Sequence, residues 1–157
     1  MPLPSQESRP SPHDGATAMA PSNVPSHEFV DHTSELELRL RAPSFGDLIA
    51  EGGRALSRLL LRESVEAAPT ERQITARGSD RAALLVTWLN ELIYLAEADQ
   101  WIPVEIEAGL VTDTEIRVRA QGVTVSKPPS LIKAATYHGL IVRDRPGGVE
   151  ATVILDI

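Results

Sequence analysis

Two acidic residues that lie far apart in the sequence, Glu35 and Asp156, are the best candidates for cation binding. Asp156 is the penultimate residue, so its side-chain carboxylate lies one residue from the α-carboxylate of Ile157. Both acids lie in segments with strand character, and neighbouring strands in one sheet would hold the oxygen donors together. Hard cations such as Mg²⁺, Ca²⁺ and Mn²⁺ prefer clusters made only of oxygen ligands. The alternative interpretation is that Asp156 is a solvated acid at an exposed chain end.

A second set of residues could supply acid–base chemistry or charge. His32 follows Asp31 just before the first acid, whereas Lys133 and His138 share an apolar segment farther along the chain. Either histidine could act as a general base, but we favour structural histidines that are hydrogen-bonded to a neighbouring strand. We interpret Lys133 as a surface lysine. No two of the 4 histidines have the helical spacing of metal ligands.

Composition argues against several classes of function. The chain of 157 residues has no cysteine, which excludes disulfides, thiolate zinc sites and cysteine nucleophiles. Its net charge of −7 argues against a broad basic face for nucleic acid and favours a basic protein partner. Glycine-rich phosphate loops and nucleophile elbows are missing, so the common enzyme templates are mostly absent. Because we find no secretory signal and no membrane-spanning apolar run, we expect a cytoplasmic protein.

Residues 1–26 are predicted to be a disordered tail rich in proline and serine. They contain half of the 12 prolines and almost no large apolar side chain, so burial cannot offset the entropy lost on ordering. Met19 could also be the true start of translation. We expect one folded domain over residues 27–157.

Hydrophobic periodicity within this domain predicts two helices. Ser44, with Asp47 three residues later, is typical of a helix start, and the pattern continues to about residue 61. Gly52 and Gly53 lie inside this helix, where close packing is a better explanation than a hinge. A second helix begins after Asp80 and runs to about residue 98, with an apolar face in which Trp88 is a core residue.

Strand patterns surround these helices and define the fold class. Leucines alternate with charged residues over 35–41, which is typical of a half-buried strand. Further strands are predicted over 72–77, 104–108, 115–120 and 132–142, followed by a last strand that ends at residue 157. The order β-α-β-α-β-β-β-β predicts an α+β fold, with two helices packed on a mixed, largely antiparallel β-sheet in a single domain.

Four segments of the chain resemble sequence motifs of the archease family. Phe29–Glu35 resembles the family's opening motif of the Asp-His-Thr-Ala-Asp type, and Trp88–Leu95 looks like its long apolar and acidic helix. Ile132–His138 is similar to the family's Val-Lys-Ala-x-Thr-Tyr-His strand, and Val153–Ile157 matches its ending. Order and spacing agree from about residue 27 to the last residue, so the resemblance covers the whole predicted domain and implies the archease fold.

The resemblance implies a protein cofactor and not a stand-alone enzyme. Archeases assist RtcB-type GTP-dependent RNA ligases, which seal tRNA exon halves and other RNA breaks. They promote transfer of GMP to the ligase's active-site histidine and help the ligase to turn over repeatedly, so contact with RNA would be indirect. The family's metal ligands fall here on Glu35, Asp156 and Ile157. Calcium is the expected cation, with magnesium and manganese as alternatives, and no membrane is involved.

One departure from the family pattern affects this expected metal site. Ser34–Glu35 stands where the family has Ala-Asp, and glutamate keeps the charge but adds a methylene. Ca²⁺ has flexible coordination and should tolerate the longer side chain better than Mg²⁺, which requires near-ideal octahedral geometry. Asp31 could substitute for Glu35, because strict alternation would place both residues on one face of a strand.

Two other functions are alternatives to ligase activation. A small metal-dependent hydrolase would use Glu35, Asp156 and His138, although the sequence shows neither a nucleophile set nor an evident substrate pocket. A chaperone-like binding module is the second alternative, since the resemblance does not by itself fix a mechanism.

Overall fold

The computed structural model describes residues 24–61, 68–126 and 132–157. These residues form two helices and seven strands, so the predicted α+β class with two helices is confirmed. Neither helix in this part of the chain is long and apolar enough to cross a bilayer. In chain order the elements are β1 (Ser26–His32), β2 (Glu35–Ala42), α1 (Phe45–Leu60), β3 (Thr70–Arg77), α2 (Arg81–Ala98), β4 (Trp101–Val111), β5 (Glu115–Thr124), β6 (Ala134–Arg145) and β7 (Gly148–Asp156).

The strands divide between two sheets, where the sequence predicts one. A four-stranded sheet has the order β1-β2-β7-β6, and a three-stranded sheet has the order β3-β5-β4. All the strand pairs registered within the described ranges are antiparallel. Helix α1 packs mainly on β4, and α2 packs mainly on β6. The apolar faces of both sheets and both helices therefore meet in one core.

Both helices begin where the sequence predicts a capping residue. Ser44 accepts a hydrogen bond from the backbone N–H of Asp47 at 3.1 Å. Asp80 accepts one at 2.8 Å from a backbone N–H in the first turn of α2. Each contact satisfies an amide that has no partner inside the helix. Trp88 is fully buried, and its indole N–H donates to the carbonyl of Ile49 at 2.9 Å, which confirms it as a core residue.

The edge strand β1 is absent from the sequence prediction. It joins β2 through a two-residue turn, Thr33–Ser34, in which Ser34 has a φ of 62°. Such turns are usually recognised by Asn-Gly or another glycine-containing pair, and Thr-Ser carries no such signal. The predicted tail falls mostly on residues 1–23, outside the described ranges, whereas Ser26 is already the first residue of β1.

Two adjacent glycines in α1 let other elements pack closely against its backbone. A Cβ atom on Gly53 would lie 2.3 Å from Cδ1 of Ile106 and 3.1 Å from the ring of Trp88. A Cβ atom on Gly52 would lie 3.3 Å from a methyl group of Leu40. Close packing therefore explains the pair, as the sequence analysis favours.

The substitution Gly53→Ala is expected to lower the free energy of unfolding by about 1 kcal/mol, because overpacking costs about 1–3 kcal/mol and the gain in helix propensity is about 1 kcal/mol. Gly46→Ala in the first turn of the same helix is the matched control, since its new Cβ has no contact closer than 3.8 Å. The control should be neutral or stabilising. Urea unfolding measures both, and equal effects would contradict tight packing at Gly53.

An arginine cluster surrounds Glu150 in β7. Arg143 and Arg145 donate hydrogen bonds to its carboxylate, and Arg41 lies 3.8 Å from it. The hydrogen bond from Arg143, supported by the positive charges of Arg143, Arg145 and Arg41 and opposed by desolvation, lowers the pKa of Glu150 from its ordinary value of 4.5. This carboxylate is therefore bound more favourably in its charged form when the chain is folded.

Because the pKa of Glu150 is lower in the folded state, its contribution to stability is present above pH 4.5 and is lost as the pH falls through the folded pKa. In the Glu150→Gln protein, the free energy of unfolding is expected to fall less steeply between about pH 5 and pH 3 than in the parent. Glu71→Gln is the control, because the contact of Glu71 with Arg119 is long, at 3.7 Å, and exposed. Urea unfolding at several pH values measures the slopes, and an unchanged acid slope for Glu150→Gln would contradict this role.

Candidate metal site at the end of the four-stranded sheet

Glu35 and Asp156 lie directly opposite each other in the antiparallel pair of β2 and β7. The N–H of Ile157 donates to the carbonyl of Ser34 at 3.4 Å, so an inter-strand hydrogen bond flanks this pair and does not join it. In such non-hydrogen-bonded pairs the Cα atoms are about 4.5 Å apart, and the side chains lie closer than in hydrogen-bonded pairs. The strands that carry the two acids are therefore neighbours, as the sequence analysis requires for a cation site.

Both carboxylates lie on the outer face of the sheet, away from the helices. Leu36 follows Glu35 and Leu155 precedes Asp156, and these leucines are only 6% and 0% exposed in the core. Since successive side chains in a strand point to opposite faces, Glu35 and Asp156 project outward, where each is half-buried. Like charges at directly opposed positions repel each other, and a bound cation would relieve that repulsion.

Ile157 lies at the same end of the sheet as the two acids. The side chain of Ile157 packs against the core, and its N–H bond to Ser34 ties it to the β1–β2 turn. The side chains of Glu35 and Asp156 offer only carboxylate oxygens as metal ligands, so their chemistry fits a hard cation. Within the described ranges, no group of three or more His, Asp or Glu side chains could hold a metal ion. Glu35 and Asp156 therefore do not form such a group by themselves.

Strand β1 places His32, and not Asp31, on the same face as Glu35. His32 lies directly opposite Glu35, whereas Asp31 lies opposite the buried Leu36. Residues directly opposite each other share a face of the sheet, so the expectation that Asp31 shares a face with Glu35 is wrong. Strict alternation does not continue through a two-residue turn, because the chain reverses its direction there.

The start of β6 borders the other side of Asp156. Ala134 lies opposite Asp156, and the backbone N–H of Lys133 donates to the Asp156 carbonyl at 2.8 Å. The side chain of Lys133 is exposed, which confirms the interpretation as a surface lysine. Lys133 thus reaches this end of the sheet through its backbone.

His32 and His138 do not match the expectation that they are structural histidines hydrogen-bonded to a neighbouring strand. His138 is exposed and lies where the pairing of β6 with β7 is interrupted, while His32 is also exposed. The one histidine that makes a side-chain hydrogen bond within the described residues is His27, whose Nδ1 lies 2.7 Å from a carboxylate oxygen of Glu51. No local pattern signals this contact, because Glu51 belongs to α1 and is 24 residues away.

Asn90 in α2 is a residue beside the site that sequence reasoning missed. Its Nδ2 donates to the carbonyl of Ala135 at 3.1 Å, and its Oδ1 accepts from the N–H of Ala135 at 2.8 Å. One side chain thus satisfies both backbone groups of Ala135. The residue before it, Ala134, is the one that pairs with Asp156. The usable signal is that asparagine is unfavourable inside a helix, so its presence in the middle of α2 calls for a specific contact.

These features define a small α+β protein with two antiparallel sheets and a pair of carboxylates on the outer face of one sheet. Residues 27–157 match the model of the archease protein family (MTH1598/TM1083), and the chain belongs to this family. The proposed alignment of the four sequence motifs with archeases is consistent with this match.

Relatives and solved structures extend over nearly the whole domain. Protein archease of Methanosarcina mazei is 27% identical over 145 residues, which cover 87% of this chain and 99% of that protein. Protein archease-like of Drosophila melanogaster is 26% identical over 140 residues, or 83% of this chain and 90% of that protein. The solution structure of protein 1598 of Methanobacterium thermoautotrophicum has a TM-score of 0.62 at 24% identity and covers 83% of this chain and 98% of its own. The crystal structure of an archease from Thermotoga maritima, described as a possible chaperone, has a TM-score of 0.60 at 18% identity, with 84% and 98% covered.

Proposed function

We propose that this protein activates an RtcB-type GTP-dependent RNA ligase in tRNA splicing and RNA repair, by promoting guanylylation of the ligase and its repeated turnover. In this proposal Glu35, Asp156 and the carboxylate of Ile157 hold a divalent cation, preferably calcium, and present it to the ligase. The supporting observation is the direct opposition of Glu35 and Asp156 across β2 and β7 in a chain of the archease family. The family pattern and the strand register are two independent reasons to group Glu35 with Asp156.

The two side-chain carboxylates act as a unit because their strands hold them at opposed positions on a rigid sheet. Each is half-buried on the outer face, so a macromolecular partner can reach both. When bound, a divalent cation supplies positive charge and Lewis acidity toward phosphoryl oxygens, the groups that react in guanylyl transfer. Ca²⁺ takes about 6–8 oxygen ligands, so three donor residues leave positions for water or for groups of the partner.

The charge of the chain favours a basic protein partner over direct contact with RNA. The net charge is −7, and the candidate site itself is anionic, so RNA phosphates are repelled and a basic ligase surface is attracted. The association should weaken as salt concentration rises. We place this activity in the cytoplasm, and RNA contact runs through the ligase.

The hydrolase alternative has less support from the arrangement of its residues. It requires His138 to act with Glu35 and Asp156, yet the described residues contain no cluster of three such side chains. His138 lies in the interrupted part of β6, away from the register position opposite Asp156. Hydrolysis of generic phosphoesters by the purified protein alone would favour this alternative.

The chaperone-like alternative rests on two observations. The archease of Thermotoga maritima is described as a possible chaperone. This chain also exposes large apolar or aromatic side chains, including Tyr94 (60%), Tyr137 (64%) and Ile141 (48%). A chaperone would suppress aggregation of unrelated proteins whether or not Asp156 is charged, whereas a ligase activator would not.

Guanylylation of the ligase tests the proposal directly. The cognate ligase is incubated with labelled GTP, with and without this protein, and covalent GMP is followed over time. We expect the initial rate to rise at least about tenfold, equivalent to about 1.4 kcal/mol in the activation barrier. The added protein is titrated at several concentrations of calcium, magnesium and manganese to identify the active cation. An unchanged rate under all of these conditions would contradict the proposed function.

A further inference from the structure

The side-chain amide of Asn90 connects α2 to the strand that borders the carboxylate pair. Its donor and acceptor both bind the backbone of Ala135, at 3.1 Å and 2.8 Å. Strand β6 is at the edge of its sheet, so no strand lies on its other side within the described ranges. A side-chain amide carries the same donor and acceptor as a peptide group, and Asn90 therefore takes the place of a neighbouring strand at this residue.

The start of β6 has few other backbone constraints. Its pairing with β7 covers Ala134, Ala135 and Thr136, and regular pairing resumes only at Ile141. Three consecutive pairs thus hold this segment to the strand that carries Asp156. If Asn90 were lost, two partly buried backbone groups of Ala135 would lack their partner, which is unfavourable for buried polar groups. Within the described ranges, only its pairing with β7 and the Lys133 hydrogen bond would then hold the segment, so it would open away from β7 more often.

We propose that Asn90 is a positioning residue for the carboxylate pair. It holds residues 133–136 against β7, so that the N–H of Lys133 keeps its 2.8 Å hydrogen bond to the carbonyl of Asp156. The contacts run from α2 through Ala135 to Lys133 and then to the backbone of Asp156. Asn90 touches neither the cation nor the ligase. This inference rests on the proposed role of Glu35 and Asp156 as a cation site.

A positioning role differs from a merely structural role in what it changes. Loss of a structural hydrogen bond lowers stability but leaves cation affinity unchanged well below the melting temperature. Loss of a group that orients metal ligands typically weakens metal binding about 10–100-fold. Two variants separate the contributions of the side chain: Asn90→Leu removes both hydrogen bonds, whereas Asn90→Asp keeps the acceptor and replaces the donor to the Ala135 carbonyl.

Amide exchange and calcium titration together test this proposal. Exchange of the Lys133 amide is followed by NMR, and calcium affinity is measured by calorimetry, both well below the melting temperature. The matched control is Thr70→Val, which removes the 3.0 Å hydrogen bond from the indole of Trp101 in the other sheet. For both Asn90 variants we expect Lys133 to exchange at least about tenfold faster and the calcium Kd to rise about 10–100-fold. The control should match the parent in both measurements.

The outcomes distinguish this proposal from the proposed function. Unchanged exchange at Lys133 in the Asn90 variants would overturn the positioning role. If the parent binds calcium through Asp156, variants that exchange faster at Lys133 but keep the calcium affinity of the parent would overturn it as well. Equal and negligible calcium binding by the parent and by Asp156→Asn would instead contradict the cation site itself. The exchange measurement needs neither cation nor ligase, so faster exchange at Lys133 would still support Asn90 as the residue that positions this segment.

Discussion

The substitution Asp156→Asn is expected to abolish activation of the RNA ligase while leaving the fold intact. It keeps the size of the side chain and removes one of two carboxylates that the strand register places opposite each other. Removal of a direct ligand should exceed the loss of about 10–100-fold in affinity that is typical of residues around a metal site. Guanylylation of the ligase and calcium titration measure the two effects on the same protein preparation.

Stability should change in the opposite direction from activity. In the cation-free protein the carboxylates of Glu35 and Asp156 repel each other, and like charges at opposed positions cost a few tenths to about 1 kcal/mol. The Asp156→Asn protein is therefore expected to melt at the same or a slightly higher temperature than the parent without calcium. Calcium should raise the melting temperature of the parent, because a ligand that binds only the folded state stabilises it, and should leave the variant unchanged.

Asp31→Asn is the matched control for this experiment. It removes the same charge from a nearby acid, but Asp31 is exposed and lies on the opposite face of the sheet from Glu35. We expect activation and calcium affinity like those of the parent. Full activation by the Asp156→Asn protein, or an equal loss in both variants, would show that the site is assigned wrongly.

Substitutions of Glu35 should separate charge from geometry in the same site. Glu35→Gln keeps the length of the side chain and loses its charge, so divalent-cation affinity should fall by about tenfold or more. Glu35→Asp keeps the charge and restores the residue of the family motif, so affinity should rise. The gain should be larger for Mg²⁺ than for Ca²⁺, because Mg²⁺ is less tolerant of irregular coordination.

Calorimetric titrations with calcium and with magnesium measure this series. His32 lies opposite Glu35 on the same face, so His32→Gln controls for a change beside the site that alters no carboxylate. Equal affinities for the parent, Glu35→Gln and Glu35→Asp would mean that Glu35 is an outward strand residue without a role in binding. Calcium binding would then have to depend on Asp156 and the chain end.

The elements with strong periodicity, and the face on which Glu35 lies, could be predicted from the sequence. The alternation of β2 places its leucines in the core, as the burial of Leu36, Leu38 and Leu40 confirms. The starts of both helices can be predicted because Ser44 and Asp80 satisfy specific amides in the first turn. These features depend on residues close together in the chain, and local chemistry determines them.

The features that escaped prediction depend on contacts between distant residues or on unusual turns. Strict alternation puts Asp31 on the wrong face because a Thr-Ser turn reverses the chain without a glycine to mark it. The contact between His27 and Glu51 joins residues from different elements. The contact of Asn90 with Ala135 spans 45 residues. Periodicity carries no information about such pairs, and only the strand register and the packing of α2 on β6 reveal them.

Ligation under multiple-turnover conditions tests the central claim most directly. Cleaved tRNA is supplied in large excess over the cognate ligase, and sealed product is counted per ligase molecule with and without this protein. The account predicts about one product or fewer per ligase alone, and many products per ligase when the parent protein is present, but not when Asp156→Asn replaces it. Equal product per ligase with and without the parent protein would contradict the account.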